Sequence, residues 1–357
     1  MPPTARPLRA AIVGAGRKAG PIDDELPAGD RCWLRPWGHA GAYLALPECA
    51  LVAAADVDGP KLAAFGERFG VPAAGRYADY RELIDRERPD LLSITTRAPL
   101  HAEIAVYAAA HGVRGIFCEK ALACSLAEAD RMLEACRRHG VAFNYGAGRR
   151  YRGGYRAMRR LAAAGALGTV QQQIYNGGSP ALLHGLSHAV DTALFLLGEP
   201  EVASVQATFS RGGYDPQTDR WDDDPHVAQA SVHFRDGAGA HFCVRGARWY
   251  TFSLVGTDGL AEAYDNNARY RLRRRSDDWY GSEEVPFPPF EDESDTVVAI
   301  RELARAVAAG TPEATSGPIA VAHRGMELLC AMAESHLRDG ARVRLPLRNR
   351  TAYIPSR

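Results

Sequence analysis

The stretch Leu8-Arg9-Ala10-Ala11-Ile12-Val13-Gly14-Ala15-Gly16-Arg17-Lys18-Ala19 decides how the rest of the chain is read. Six mostly apolar residues that end at a glycine have the length and make-up of a buried strand. The Gly-x-Gly-x-x-Ala after them fits the turn where a dinucleotide meets an α/β sheet. Gly14 allows the tight turn, Gly16 lets the main chain approach a pyrophosphate, and Ala19 permits close helix–strand packing. Phosphate oxygens are then expected against the N–H groups of a helix N-terminus. Glycines also make ordinary turns, so the motif gains weight only if strands and helices alternate beyond it.

They do alternate. Apolar runs recur at 51–55, 91–95, 115–118 and 141–144, with helical patterns at 39–46, 61–69, 80–86, 101–111 and 126–139. The last helix opens with Ser125 as N-cap and Glu128 three residues on, and closes at Gly140. This predicts right-handed βαβ units and a parallel sheet, a Rossmann dinucleotide-binding domain over residues 1–145. Residues 20–36 are polar, carry three prolines and interrupt the first βα unit, so they read as an inserted loop. From 146 to 357 the pattern changes. Helices are expected at 155–164, 184–197, 296–309 and 319–337. Alternating strands are expected at 201–210, 227–234, 240–244, 250–255 and 261–264, with a short one at 343–347. The second domain is therefore α+β, its sheet mostly antiparallel with one polar face.

Composition narrows the function. The 357 residues carry 43 Lys plus Arg against 43 Asp plus Glu, a net charge of zero. A dedicated nucleic-acid binder needs an excess of positive charge, so that class is disfavoured. No apolar run is long enough to span a bilayer. The first ten residues show no apolar leader core, and the seven scattered cysteines, with no Cys-x-x-Cys, fit reduced thiols. A cytoplasmic location is expected.

The second strand ends at Asp56. A carboxylate there accepts hydrogen bonds from adenosine ribose hydroxyls and repels a 2′-phosphate, which favours NAD over NADP. It lies about forty residues after Gly14, where roughly 20 is usual, and the insertion accounts for most of the excess. Arg17 and Lys18 are open between a place over the pyrophosphate and solvent.

Several motifs then occur in a telling order: Gly14-Ala15-Gly16, Thr96 through Pro99-Leu100-His101, Cys118-Glu119-Lys120, Arg150-Tyr151, and His188-Ala189-Val190-Asp191. In this the chain resembles the glucose-fructose oxidoreductase / inositol 2-dehydrogenase / MocA family along nearly its whole length, including Gly256-Thr257-Asp258-Gly259 and Leu345-Pro346-Leu347. The resemblance implies a Rossmann domain followed by an α/β domain with a large open-faced sheet. It implies binding of NAD or NADP and oxidation of a secondary alcohol of a sugar or cyclitol, or the reverse reduction. It also implies a homodimer or homotetramer packed through that sheet. Carried over residue by residue, it puts Gly14, Ala15, Gly16, Arg17, Lys18, Asp56, Thr95, Thr96, His101, Glu119 and Lys120 at the cofactor. Lys120, Arg150, Tyr151, Asn176, His184, His188 and Asp191 fall at the substrate. The family's Glu-Lys-Pro is Glu119-Lys120-Ala121 here, the Pro after its Thr is Arg97, and its carboxylate four residues before the catalytic His is His184.

The chemistry is consistent with these positions. Oxidising an alcohol needs a base for the hydroxyl proton and a group that stabilises the developing alkoxide. Lys120 ends a parallel strand, where open α/β sheets bind ligands, and its ammonium suits the second task. A solvated lysine is the ordinary alternative. His188, with a side chain that titrates near neutrality, suits the first task. Asp191 is one turn on. With His184 in place of the carboxylate, His188 gains less stabilisation of its charged form. His184 is open between a relay or substrate contact, a pocket filler and, least favoured, a metal ligand; no metal is expected. Arginines at 149–152 and aromatics at Trp221, Trp249 and Tyr250 are weaker candidates. Three functions compete: a dehydrogenase of sugars, aminosugars or cyclitols; a keto-sugar or imine reductase, or redox-neutral enzyme with tightly held NAD; and a non-catalytic dinucleotide sensor with a protein partner.

Overall fold

The structure, a computed structural model, describes residues 6–27, 29–244, 249–278 and 280–356. The leader reading rests partly on residues 1–5, which lie outside them. The chain forms two compact units. The first takes residues up to Ala123, Glu128–Tyr151 and Glu293–Ala322; the second takes Cys124–Ala127, Arg152–Asp292 and His323 onward. The first unit is thus not the continuous stretch 1–145 that the change of periodicity suggests.

In the first unit six strands, β1 (Leu8–Val13), β2 (Cys49–Ala55), β3 (Arg76–Tyr77), β4 (Leu91–Ile94), β5 (Gly115–Cys118) and β6 (Ala142–Tyr145), lie in the order β3-β2-β1-β4-β5-β6. Every ladder among them is parallel. This is the Rossmann order, with its reversal point beside β1. The connecting helices are α1 (His39–Leu44), α2 (Gly59–Phe69), α3 (Tyr80–Glu87), α4 (His101–Ala110) and α5 (Leu126–His139). Asp58 and Asp79 cap α2 and α3 by accepting from main-chain N–H groups of their first turns. A later helix, Asp295–Ala309, also belongs to this unit, and its Val297, Ile300, Leu303 and Val307 join the core with Ile12, Leu91 and Phe117. Gly115 lets it come close, since a Cβ there would lie 2.8 Å from both Leu91 and Val307 side chains.

The second unit has α6 (Gly153–Ala163), a π-helical turn at Leu182–Leu186 and α7 (Ser187–Leu197). Its nine-stranded sheet contains β7 (Val170–Asn176), β8 (Val202–Arg211), β11 (His226–Phe234), β12 (Gly239–Cys243), β13 (Thr251–Gly256), β14 (Gly259–Tyr264), β15 (Arg269–Arg275), β16 (Ser282–Val285) and β17 (Val343–Arg344); the two-residue strands β9 (Tyr214–Asp215) and β10 (Arg220–Trp221) pair apart from it. Only β7 with β12 runs parallel in that sheet. The expected antiparallel character holds, but β7, at its middle, is a strand the periodicity misses. Gln171-Gln172-Gln173 hides it, because the buried positions are Gln173 and Tyr175. β15 and the edge strand β16 are missed because they are polar throughout, with Leu272 the one buried position between them. Trp221 is core, 1% exposed and packed on Phe209 and Tyr214. Among the described residues no helix is long and apolar enough to cross a membrane.

Candidate active site

The first half of the site is the glycine turn. Gly14 has φ +96°, and a Cβ there would sit 2.9 Å from the Thr95 carbonyl carbon and the Thr96 nitrogen. The turn is therefore restricted to glycine by both conformation and space. Thr95 donates its hydroxyl to the Gly14 carbonyl at 2.6 Å, so its side chain braces the turn and does not face a cofactor as expected. At Gly16 a Cβ would meet nothing within 4 Å, which leaves open space in front of the main chain. Thr96 Oγ1 is buried with no partner, an unsatisfied hydroxyl of the kind a bound ligand completes. Asp56 directly follows β2; its carboxylate accepts from the Ala15 N–H at 2.7 Å and the Asp58 N–H at 2.9 Å. Its remaining lone pairs suit ribose hydroxyls. Open glycine, orphaned hydroxyl and oriented carboxylate together fit an NAD-type dinucleotide.

Other expectations are corrected here. The loop does not enter an α-helix: a three-residue 3-10 turn, Arg17–Ala19, follows Gly16, and α1 starts only at His39 because the insertion intervenes. Arg17 pairs with Glu25 of the insertion, at 2.6 Å. Lys18 turns inward, donating to the Trp37 carbonyl at 2.6 Å and lying 3.9 Å from Glu119, so it does not lie over a pyrophosphate. The insertion itself is held: Asp23 accepts from the Trp37 and Gly38 N–H groups, and Trp33 stacks on Trp37. His101 is fully buried, with Nδ1 and Nε2 at 2.8 and 3.0 Å from the Ala121 and Thr96 carbonyls. Neither ring nitrogen is left for a cofactor.

The end of β5 carries Glu119 and Lys120. Glu119 is 7% exposed, and its Oε2 accepts from the Lys120 N–H at 3.3 Å. Its Oε1 lies 3.1 Å from His39 Nε2. Burial alone would push this carboxyl up, but the Lys18 charge, the His39 hydrogen bond and the Lys120 charge overcome it and hold it at about 2. Lys120 is partly exposed beside it. His39 has no counterpart among the sequence-derived candidates; its place at the head of the first helix gives no sign of a partner on another strand.

Arg150 and Tyr151 leave the substrate set. Arg150 is 0% exposed and its guanidinium donates to the Ser316 carbonyl. Tyr151 is buried, its hydroxyl donating to the Tyr145 carbonyl at 2.9 Å. Both fasten the residues after β6 within the first unit.

In the second unit the remaining candidates sit at the π turn and α7. Pi turns recur at functional sites because the wider coil redirects side chains. Here both the Gly185 and Leu186 N–H groups donate to the Ala181 carbonyl. His184 and His188 therefore straddle a change of coil, and the one-turn alignment expected of a regular helix does not describe them. His184 is exposed, His188 half-buried and Asp191 buried. A residue missed in the sequence, Asp224, holds the turn: its two oxygens accept from the Leu183 and His184 N–H groups at 2.8 Å each. Burial raises its carboxyl above the ordinary value, against those two hydrogen bonds. Asn176 is exposed at the end of β7. No group of three His, Cys, Asp or Glu that could hold a metal ion occurs among the described residues.

Comparison with known proteins bears on the family and the fold. Residues 8–147 match the model of an oxidoreductase family with an NAD-binding Rossmann fold, GFO_IDH_MocA. The chain is 34% identical over 138 residues to D-apiose dehydrogenase of Paraburkholderia graminis, covering 39% of this chain and 36% of that one. It is 28% identical over 182 residues to myo-inositol 2-dehydrogenase of Thermotoga maritima, covering 47% and 53%. The matches thus span between about a third and about half of these relatives. The fold is that of aldose-aldose oxidoreductase from Caulobacter crescentus, solved with glycerol: TM-score 0.77 at 20% identity, over 95% of this chain and all of the other.

Proposed function

We propose that this chain, whose residues 8–147 match the model of the NAD-binding GFO_IDH_MocA oxidoreductase family, is a member of the glucose-fructose oxidoreductase / inositol 2-dehydrogenase / MocA family and a dehydrogenase of a secondary alcohol on a sugar, aminosugar or cyclitol. The observation that carries this reading is the end of β5, where Lys120 follows an ionised, buried Glu119 in the unit that holds the open glycine turn. The similar proteins named for D-apiose and myo-inositol support the substrate class.

In this reading the main chain at Gly14–Gly16, the Asp56 carboxylate and the Thr96 hydroxyl hold the dinucleotide, with Asp56 favouring NAD over NADP. The bound nicotinamide supplies the hydride acceptor. Lys120 donates a hydrogen bond to the reacting oxygen and stabilises its developing charge. His188, on the second unit, takes the hydroxyl proton. His184, exposed on the π turn, binds a substrate hydroxyl or passes the proton on, and Asn176 and Asp191 serve the same end of that unit. Assembly of copies through the nine-stranded sheet and a cytoplasmic location go with the reading.

Calorimetry of the purified protein with NAD and NADP, followed by a panel of polyols, tests it. NAD is expected to bind at least about tenfold more tightly than NADP, the worth of one clear charge contact. A polyol is expected to bind when NAD is present and to give NADH absorbance. Absence of binding by either nucleotide overturns the reading.

A further inference from the structure

Four polar side chains of the first unit form a chain of which the proposed chemistry uses only the last member, Glu119. Tyr43 hydroxyl lies 2.9 Å from Ser93 Oγ, Ser93 Oγ 2.8 Å from His39 Nδ1, and His39 Nε2 3.1 Å from Glu119 Oε1. Tyr43, Ser93 and His39 are all 0% exposed. Chemistry orders the protons. An ionised carboxylate only accepts, so His39 carries its proton on Nε2. The neutral ring then accepts at Nδ1, Ser93 donates to it, and Ser93 accepts from Tyr43. Each donor points along the chain toward Glu119.

The surroundings keep it that way. The charged groups whose fields reach the ring are Glu119, Lys18 and Asp295; burial, with the Lys18 charge acting the same way, outweighs Glu119 and Asp295 and keeps the imidazole neutral. The ring also stacks on Phe117, centroids 4.5 Å apart, which limits its rotation. The carboxylate is caged as well: a Cβ on Gly146 would lie 2.9 Å from Glu119 Cα and 3.0 Å from its Oε2. On that side the carboxylate is packed directly against the main chain of Gly146.

We propose that His39 is a positioning residue: backed by Ser93 and Tyr43, its Nε2–H holds Glu119 as a fixed anion beside Lys120, so that Lys120 stays an ammonium and acts as a donor, not as a base. The inference rests on the reading of Lys120 given above. The attraction between the two groups is mutual, so the ionised Glu119 carboxylate favours the charged form of Lys120 and offsets the opposing field of Lys18.

The test uses the protein without nucleotide, so it stands apart from whether any alcohol is oxidised. Acetic anhydride acylates only the neutral amine, and mass spectrometry reads modification of Lys120 at pH 8. Glu119→Gln is expected to raise the Lys120 rate about tenfold, the effect of one pKa unit. His39→Phe keeps the ring stack but removes the donor, and is expected to raise it by about threefold or more, while His39→Gln, which restores an N–H, stays within about twofold of the parent. An unchanged rate in His39→Phe beside a raised rate in Glu119→Gln overturns the role of His39; an unchanged rate in both overturns the pairing itself. Should His39→Phe not fold, nitrogen NMR of the parent protein decides. Nε2–H, with no second protonation at or above the ordinary imidazole value, is expected. A proton on Nδ1, or titration near the ordinary value, overturns the proposal. A protein that passes both tests yet oxidises no polyol contradicts only the dehydrogenase reading.

Discussion

Glu119 in the first unit and Asp224 in the second are both buried carboxylates beside candidate site residues, yet they are pushed in opposite directions. Asp224 has two good hydrogen bonds from the Leu183 and His184 N–H groups, and burial still raises its carboxyl, with Asp223 adding to the rise. Glu119 has one main-chain donor at 3.3 Å and is held at about 2. The difference is charge. Lys18 and Lys120 act on Glu119, and His39 adds a hydrogen bond to it. Neutral N–H groups orient a carboxylate; cations are what offset the water it has lost. One carboxylate therefore serves electrostatics and the other holds a backbone turn.

The largest expected effect tests the charged side. Lys120→Met removes the ammonium while leaving the nucleotide loop intact. Turnover with an identified polyol should fall about 10²–10³-fold, as when an oxyanion donor is lost, with NAD affinity unchanged by calorimetry. A variant that turns over normally would show that the Glu119–Lys120 pair is structural.

Asp224→Ala tests the other side. It leaves two main-chain N–H groups at the π turn without acceptors, and urea unfolding should show a loss of about 2–4 kcal/mol. Asp224→Asn keeps one acceptor oxygen and should lose about 1 kcal/mol. If the two variants were equal, charge would matter at Asp224 after all, and the contrast with Glu119 would weaken.

The smallest effect per step is in the pH dependence of stability. Burial lowers the affinity of His39 and His101 for protons, so the unfolded chain takes them up first. Their contribution is present above about pH 6.5 and is lost below it, by up to about 1.4 kcal/mol per pH unit for each ring. Glu119, held at about 2 against an ordinary 4.5, contributes stability above pH 4.5 that is lost as pH falls toward 2. Thermal midpoints across this range should therefore drop in two stages, and Glu119→Gln should shrink the lower one, which Asp90, Asp219 and Glu293 share.

Much of the first unit is legible in the amino-acid sequence. β1, β5 and the helix Leu126–His139 fall on the residues expected, as does Ile319–Leu337, most of which belongs to the second unit, because apolar runs there stop at clear breakers. β7 is not legible, since its inward positions include a glutamine. The site divides similarly. Gly14, Gly16, Asp56, Thr96, Glu119 and Lys120 sit at strand ends that spacing identifies. Thr95, Lys18, His101, Arg150 and Tyr151 share that neighbourhood, but their polar atoms meet protein groups. Spacing tells which residues reach a strand end; it does not tell which side chain finds a carbonyl first.

The alternation of strands and helices, the glycine turn, the carboxylate after β2 and the lysine after β5 are all written in the chain. These are local matters of periodicity, conformational freedom and strand length. Folding had to bring together a histidine and Glu119, 80 residues apart, to make their hydrogen bond, to pack Asp295–Ala309 on the first sheet, and to set Asp224 under the π turn. Such pairings depend on which elements fold against each other, and no local pattern in the chain encodes the distance between two side chains that meet only after burial.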